Sequence, residues 1–249
     1  MGDEILIILV LLLSTIQSLV GVGILVLGTP LFLILGYDLV STINFLLPIS
    51  IITSFLNLLV IIKQKHKIFN SLNYLKSLFI YCLPSVFIGL QILKMYEKVF
   101  NFDYLVSFII ILTIGLRSKI KKIVHKISKF KSRVILTTIG ISHGLTNSGG
   151  ALLSIFLLLS NKSKSDSRSE ITLFYFILAF TQLLIFYLIF KNSIITNNIL
   201  NNLPSILGGV FLGNYLVKKV NFKIFSDMIY ILALSSGVFL IIKNIYKIF

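Results

Sequence analysis

Long apolar runs alternate along the chain with short clusters of basic residues. Ile5 to Gly36 passes 32 residues without an acid or a base, Leu39 to Ile62 passes 24, and Val134 to Ser160 passes 27. Ile171 to Phe190 passes 20 and Asn192 to Val217 passes 26. A helix that crosses a bilayer needs about 20 predominantly apolar residues. The pattern therefore predicts an all-α polytopic membrane protein with about 8–10 membrane segments. The expected order is an opening unit at 5–36, then helices at 39–62, 70–93 and 103–116. After a basic stretch it restarts at 134–160, 170–190, 199–217 and 224–242.

The restart is written in residues as well as in hydropathy. Leu83-Pro84-Ser85 returns as Leu203-Pro204-Ser205, Gly89 as Gly209, Lys98 as Lys218, and Asn101-Phe102 as Asn221-Phe222. Every pair is 120 residues apart, giving 7 identities in the 20 positions 83–102. Chance at this composition would give roughly two. Earlier parts of the halves align at offsets nearer 125–128. The expected organisation is two homologous helical repeats, 1–116 and 134–249, joined by a linker at 117–133. In that linker Ile120, Ile123, Val124, Ile127 and Phe130 share one helical face, and six lysines fill much of the rest. That is the pattern of an amphipathic helix lying on anionic lipid at a membrane surface. A solvated basic loop is the plainer alternative.

Each half opens with an interrupted stretch. As one helix, 5–36 would be about 48 Å long, well beyond a hydrocarbon core of about 30 Å. Its middle holds Gly21, Gly23, Gly28, Thr29 and Pro30, a density of glycine and proline that breaks helices. The second half is interrupted by His143-Gly144-Leu145-Thr146-Asn147-Ser148-Gly149-Gly150. Irregular backbone at bilayer depth must line a cavity or be covered by protein. Discontinuous helices at corresponding places in two repeats point to a transporter's substrate site. A half-helix N-terminus offers unpaired N–H groups and partial positive charge, which favours an anion. Thr29, Thr146, Asn147 and Ser148 could add hydrogen bonds, and His143 a switchable charge. The competing reading, strongest for the glycines, is close helix packing through small residues.

Composition narrows the classes. Apolar residues make up 57% and charged residues 12% of the chain, and the mean hydropathy is +1.01. A soluble core of this size could not bury that much apolar surface. The net charge of +15 lies mostly in loops, as in proteins that mark their cytoplasmic side with bases, so nucleic acid is not an expected partner. One cysteine, Cys82, makes neither an intrachain disulfide nor a metal cage, and no cofactor is expected. Glu97, Asp103, Glu170 and Asp227 are all placed at or near helix ends, leaving no carboxylate mid-span. Any proton coupling is then expected to run through His143 or through the substrate's own protonation. An intramembrane enzyme would need a nucleophile–base pair or a metal cluster at depth, and the chain offers only isolated Ser, Thr and His143.

At the glycine-rich breaks the sequence resembles the sulfite exporter TauE/SafE family of membrane permeases. The resemblance rests on Val-Gly-Val-Gly, Gly-Thr-Pro and Leu-Pro-Ile-Ser within residues 20–50, on Gly144 to Leu153 with its Ser-Gly-Gly, and on the pairs at 83–89 and 203–209. It implies a multi-pass protein of the cell inner membrane, usually described as two repeats of four helices. It also implies export or uptake of a small anion such as sulfite, a sulfonate or another small organic acid. The chain departs from the common pattern in having fewer consecutive glycines at the first break and Thr146-Asn147-Ser148 before those of the second. The rival class is a non-transporting membrane subunit or scaffold, which needs no cavity.

Loop charge also votes on orientation. If the opening stretch of each half crosses twice, the repeats are inverted, with 17 bases inside and five outside. If it crosses once, they run parallel, with 14 inside and eight outside. The bias toward a positive interior favours the inverted arrangement.

Overall fold

In the computed structural model the described residues are 3–64, 72–97, 99–100, 104, 107–108, 111, 129–160, 163–191 and 196–246. The expected helix at 103–116 and the linker up to residue 128 lie largely or wholly outside them. All regular structure among the described residues is helical. The elements are α1 (Asp3–Val20), α2 (Ile24–Ile34), α3 (Leu39–Lys63), α4 (Leu72–Ser77), a π-helical turn (Leu78–Cys82) and α5 (Leu83–Tyr96). They continue with α6 (Lys129–Thr146), α7 (Gly149–Ser160), α8 (Lys164–Phe190), α9 (Thr196–Lys219) and α10 (Phe222–Tyr246).

Among the described residues three stretches are long and apolar enough to cross a membrane on their own: Leu39–Lys63, Leu75–Tyr96 and Lys164–Phe190. Shorter apolar helices accompany them, at Glu4–Val20, Ile24–Ile34 and Gly149–Leu159. The 11 residues of α2 and the 12 of α7 give helices of only about 17–18 Å, half of what a crossing needs. Large apolar side chains such as Ile8, Phe79, Leu188 and Phe211 stand exposed on the outside of the bundle. Polar residues, among them Gln17, Asn57, His143 and Gln182, are buried inside it. That inversion of the soluble pattern is what lipid as solvent requires.

Local sequence explains the boundaries. Asp38 caps α3 by accepting from the Ser41 N–H at 2.8 Å, and Ser163 caps α8 by accepting from the Asp166 N–H at 3.1 Å. Pro84 has no N–H to give the preceding turn, and the widened π turn lies immediately before α5, where it absorbs the mismatch. Close crossings use small residues. Gly89 of α5 lies against Ile141 and Gly144 of α6, while Gly209 and Gly213 of α9 lie against Ser14, Thr15 and Ser18 of α1. A Cβ at Gly209 would stand 2.6 Å from the Ser14 Cβ and 2.9 Å from the Leu11 carbonyl oxygen. The helices touch backbone to backbone there.

One expectation changes. The sequence places 162–168 in a loop and Glu170 at a helix end, yet α8 begins at Lys164 and buries both Arg168 and Glu170. The Ser163 cap starts the helix earlier than hydropathy alone suggests.

Candidate functional site

The polypeptide leaves the helix at Gly21 and re-enters it at Ile24; it leaves again at Asn147 and re-enters at Gly149. Gly21 and Asn147 both take left-handed backbone, with φ of 94° and 60°. That conformation suits glycine and is tolerated by asparagine. All eleven candidate residues (Gly21, Gly23, Gly28, Thr29, Pro30, His143, Thr146, Asn147, Ser148, Gly149 and Gly150) are buried.

The two interruptions meet. Asn147 Nδ2 donates to Thr29 Oγ1 at 2.9 Å across 118 residues of sequence. Thr146 Oγ1 donates back to the Ser142 carbonyl at 2.6 Å and accepts from the Ser148 N–H at 3.3 Å. The Ser148 hydroxyl donates to the Thr146 carbonyl at 3.2 Å, so Thr146 and Ser148 shape the turn itself. The His143 carbonyl accepts from Asn147 N–H at 2.9 Å and from Gln182 Nε2 at 3.2 Å. The His143 ring stands edge-on to Tyr175, centroids 6.3 Å apart.

The glycines serve contact. Gly149 faces the Cβ and backbone of His143, Gly150 faces the Tyr175 ring, and Gly28 faces Leu46 and Leu13. Gly21 lies against Ile171, Thr172 and the Arg168 carbonyl. In this conformation protein atoms fill the space a side chain would take at each.

The first α2 N–H groups are already engaged. Ile24 N–H donates to Gln17 Oε1 at 3.0 Å, and Leu25 N–H to the Tyr175 hydroxyl at 3.2 Å. Gln17 is held in turn by donation from its Nε2 to the Ser50 carbonyl (2.8 Å) and Ser54 Oγ (2.9 Å). Among the described residues, most buried polar atoms without a hydrogen-bond partner lie at or beside the second interruption. Both His143 ring nitrogens, Asn147 Oδ1 and Gln182 Oε1 are buried and unpaired. Orphaned buried polar atoms cost about 1–3 kcal/mol each, so a cluster of them is where a polar ligand would be accepted.

Arg168, Gln17, Asn57, Tyr175, Gln182 and Asn214 escaped the sequence reading. A signal for some of them was present. Ser50, Thr53, Ser54 and Asn57 recur at i, i+3, i+4 and i+7, a polar stripe along one face of an apolar helix. Ser14, Gln17 and Ser18 repeat that spacing on α1. In the fold the two stripes face each other, with Asn57 Nδ2 donating to Ser18 Oγ at 2.9 Å.

Interrupted helices, half-length apolar segments and a polar interior inside a lipid-facing shell define a multi-pass membrane protein of the transporter kind. The family model described as Sulfite exporter TauE/SafE matches residues 6–240. The chain belongs to that family. No curated protein and no solved structure matches it.

Proposed function

We propose that the chain is a secondary permease of the cell inner membrane, moving a small anion: sulfite, a sulfonate or another small organic acid. The observation that carries the site is the Asn147–Thr29 hydrogen bond, set beside unpaired His143, Asn147 and Gln182 atoms. A neutral imidazole presents one donor and one acceptor. The donor suits an oxyanion oxygen. The free amide oxygens suit a water or the hydroxyl of a protonated acid. Proton coupling through His143 or through the substrate fits that donor–acceptor set. A scaffold would have no use for buried polar atoms left without partners, which weigh against the non-transporting alternative.

Two homologous repeats fit the same reading. At an offset of 126, Gln17 falls on His143, Gly21 on Asn147 and Gly23 on Gly149. Packing supports the correspondence because it is reciprocal. α9 crosses α1 and α5 crosses α6; α9 also packs on α3 as α5 packs on α8. α9 thus lies across α1 and α3, and α5 across α6 and α8. The 1–116 and 134–249 repeats, with a 117–133 linker on anionic lipid, remain part of the proposal.

Uptake of labelled sulfite, sulfonates and carboxylates into proteoliposomes tests the function. Saturable flux of at least one small anion is expected. Flux no greater than in empty liposomes across the panel would reject the permease and favour the scaffold.

A further inference from the structure

Outside the two interruptions the fold encloses a second polar feature. A cavity of about 230 Å³ lies where the C-terminal end of α3, the first turns of α8 and the C-terminal end of α9 converge. Its polar lining is Gln64, Lys164, Ser165, Arg168, Ser169 and Lys218. Three of these carry positive charge, and no carboxylate lines it among the described residues.

Arg168 is the unusual member. It is only 6% exposed, and its hydrogen-bond acceptors are neutral. Nε and Nη2 donate to the Ser18 carbonyl at 3.1 and 2.6 Å, and Nη2 also donates to Asn214 Oδ1 at 2.7 Å. Asn214 is fixed by donating to Asn57 Oδ1 at 2.7 Å. The guanidinium is therefore oriented by three helices, yet nothing among these partners neutralises it. Buried charges in proteins are ordinarily paired. Lys164 is positioned the same way, with Nζ donating to the Val217 carbonyl at 2.8 Å and to the Val220 carbonyl. Two anchored cations and a third at the rim, beside serine hydroxyls, form a receptor for a compact oxyanion with at least two acceptor oxygens. The volume is below the 300–1,000 Å³ usual for drug-sized ligands, which suits a small ion and its waters.

We infer that this cavity is a second anion-binding site, a vestibule that holds a small free oxyanion before it reaches the interrupted helices. Arg168 joins the two places, since its side chain holds the last turn of α1 through Ser18 and its carbonyl lies against Gly21. The vestibule role rests on the permease reading; the binding does not. A phospholipid phosphate shares the chemistry of a free oxyanion, so the test separates the two.

Ser165→Cys places a thiol in the lining, while the native Cys82 is buried and serves as the unlabelled background. Maleimide labelling of purified full-length protein is timed with sulfate as the probe, because sulfite itself attacks maleimide. Chloride at matched ionic strength is the control. Sulfate at a few times its Kd should slow labelling about fivefold, both in detergent and in phosphatidylcholine vesicles. Arg168→Lys keeps the charge but loses the planar fork, and should weaken protection about tenfold. Lys218→Met, at the exposed rim, should weaken it about two- to fivefold and gives a readout should the Arg168 variant fail to fold. Protection by phosphatidylglycerol vesicles alone, with sulfate inert, would overturn the inference in favour of a lipid headgroup. No protection in any arm would overturn it too. Anion flux in the same vesicles tells the two readings apart: flux without protection removes the anion site and leaves the permease, and protection without flux removes the permease and its vestibule role and leaves the binding site.

Discussion

Asn147 carries two constraints in one residue. Its backbone is left-handed at φ 60°, and its side chain reaches Thr29 while leaving Oδ1 unpaired. Substitutions separate these roles. Asn147→Gly keeps the backbone without strain and removes the amide, so the protein should fold with wild-type secondary structure by circular dichroism. Its anion flux should fall at least about tenfold, roughly 1.4 kcal/mol of barrier. Asn147→Ala adds the left-handed penalty of about 1–2 kcal/mol and should also lower the melting temperature. Wild-type flux in Asn147→Gly would remove the side chain from the site. His143→Ala should abolish proton-coupled transport of a substrate of fixed charge, read as loss of flux driven by an imposed pH gradient. Thr29, His143 and Asn147 were legible in the sequence because polar residues beside glycine at bilayer depth have few structural explanations. Gln17 was signalled only by the polar stripe it shares with Ser14 and Ser18, and Gln182 and Tyr175 were not legible, since the meaning of each comes from a partner dozens of residues away. Arg168 was hidden differently: a basic residue near a basic loop reads as solvated until the helix cap at Ser163 places it inside.

At the scale of elements, small residues decide how closely helices cross. Gly208 and Gly209 are neighbours with opposite surroundings. A Cβ at Gly208 meets only the flexible end of Leu11, at 3.1 Å, whereas at Gly209 it meets backbone and the Ser14 Cβ. Gly209→Ala should destabilise the α1–α9 crossing by about 1–3 kcal/mol, and Gly208→Ala should be close to neutral. Thermal melting of the two variants in one detergent makes the comparison, and equal losses would contradict the crossing. The cap of α3 gives a pH-dependent counterpart. Burial acts to raise the Asp38 carboxyl, but hydrogen bonds from the Ser41 side chain and from the Ser41, Asp38 and Val40 backbones outweigh it and hold it below its ordinary value. A lowered carboxyl contributes stability that is present above its unfolded value and is lost as pH falls through its folded value. The melting deficit of Asp38→Ala should therefore be full near neutrality and shrink under strong acid. Long elements such as α3 were read nearly to the residue from hydropathy. The division of 5–36 into a helix of 18 and one of 11 residues was foreshadowed by its glycines, but the Gln17 and Tyr175 contacts that seat the second piece were not.

For the whole molecule the proposed repeats would be either inverted or parallel, and side-chain contacts between helix ends bear on the choice. Gln64 at the end of α3, Lys164 at the start of α8 and Lys218 at the end of α9 line one cavity, so those three helix ends share one end of the bundle. At the other end of α8, Lys94 Nζ, from the last turn of α5, donates to the Ile189 carbonyl at 2.7 Å. A parallel arrangement puts 63–67 on the opposite side from 162–168 and 218–223, and Lys94 on the opposite side from Lys191. The inverted arrangement groups them as they are found, and it leaves the richer set of bases on one side, which the charge bias assigns to the cytoplasm. Inversion follows if each opening stretch contributes two passes, its half-length second helix returning toward the side from which the first set out. Cysteines introduced at Ser165 and Val220 should accordingly react with a membrane-permeant maleimide and resist an impermeant one added outside intact cells. A cysteine at Lys191 should react with both. Labelling of positions 165 and 220 from outside would overturn the inverted arrangement and favour the parallel one, which places both there. Labelling of the cysteines at 191 and 165 from the same side would exclude both arrangements, because each requires α8 to cross.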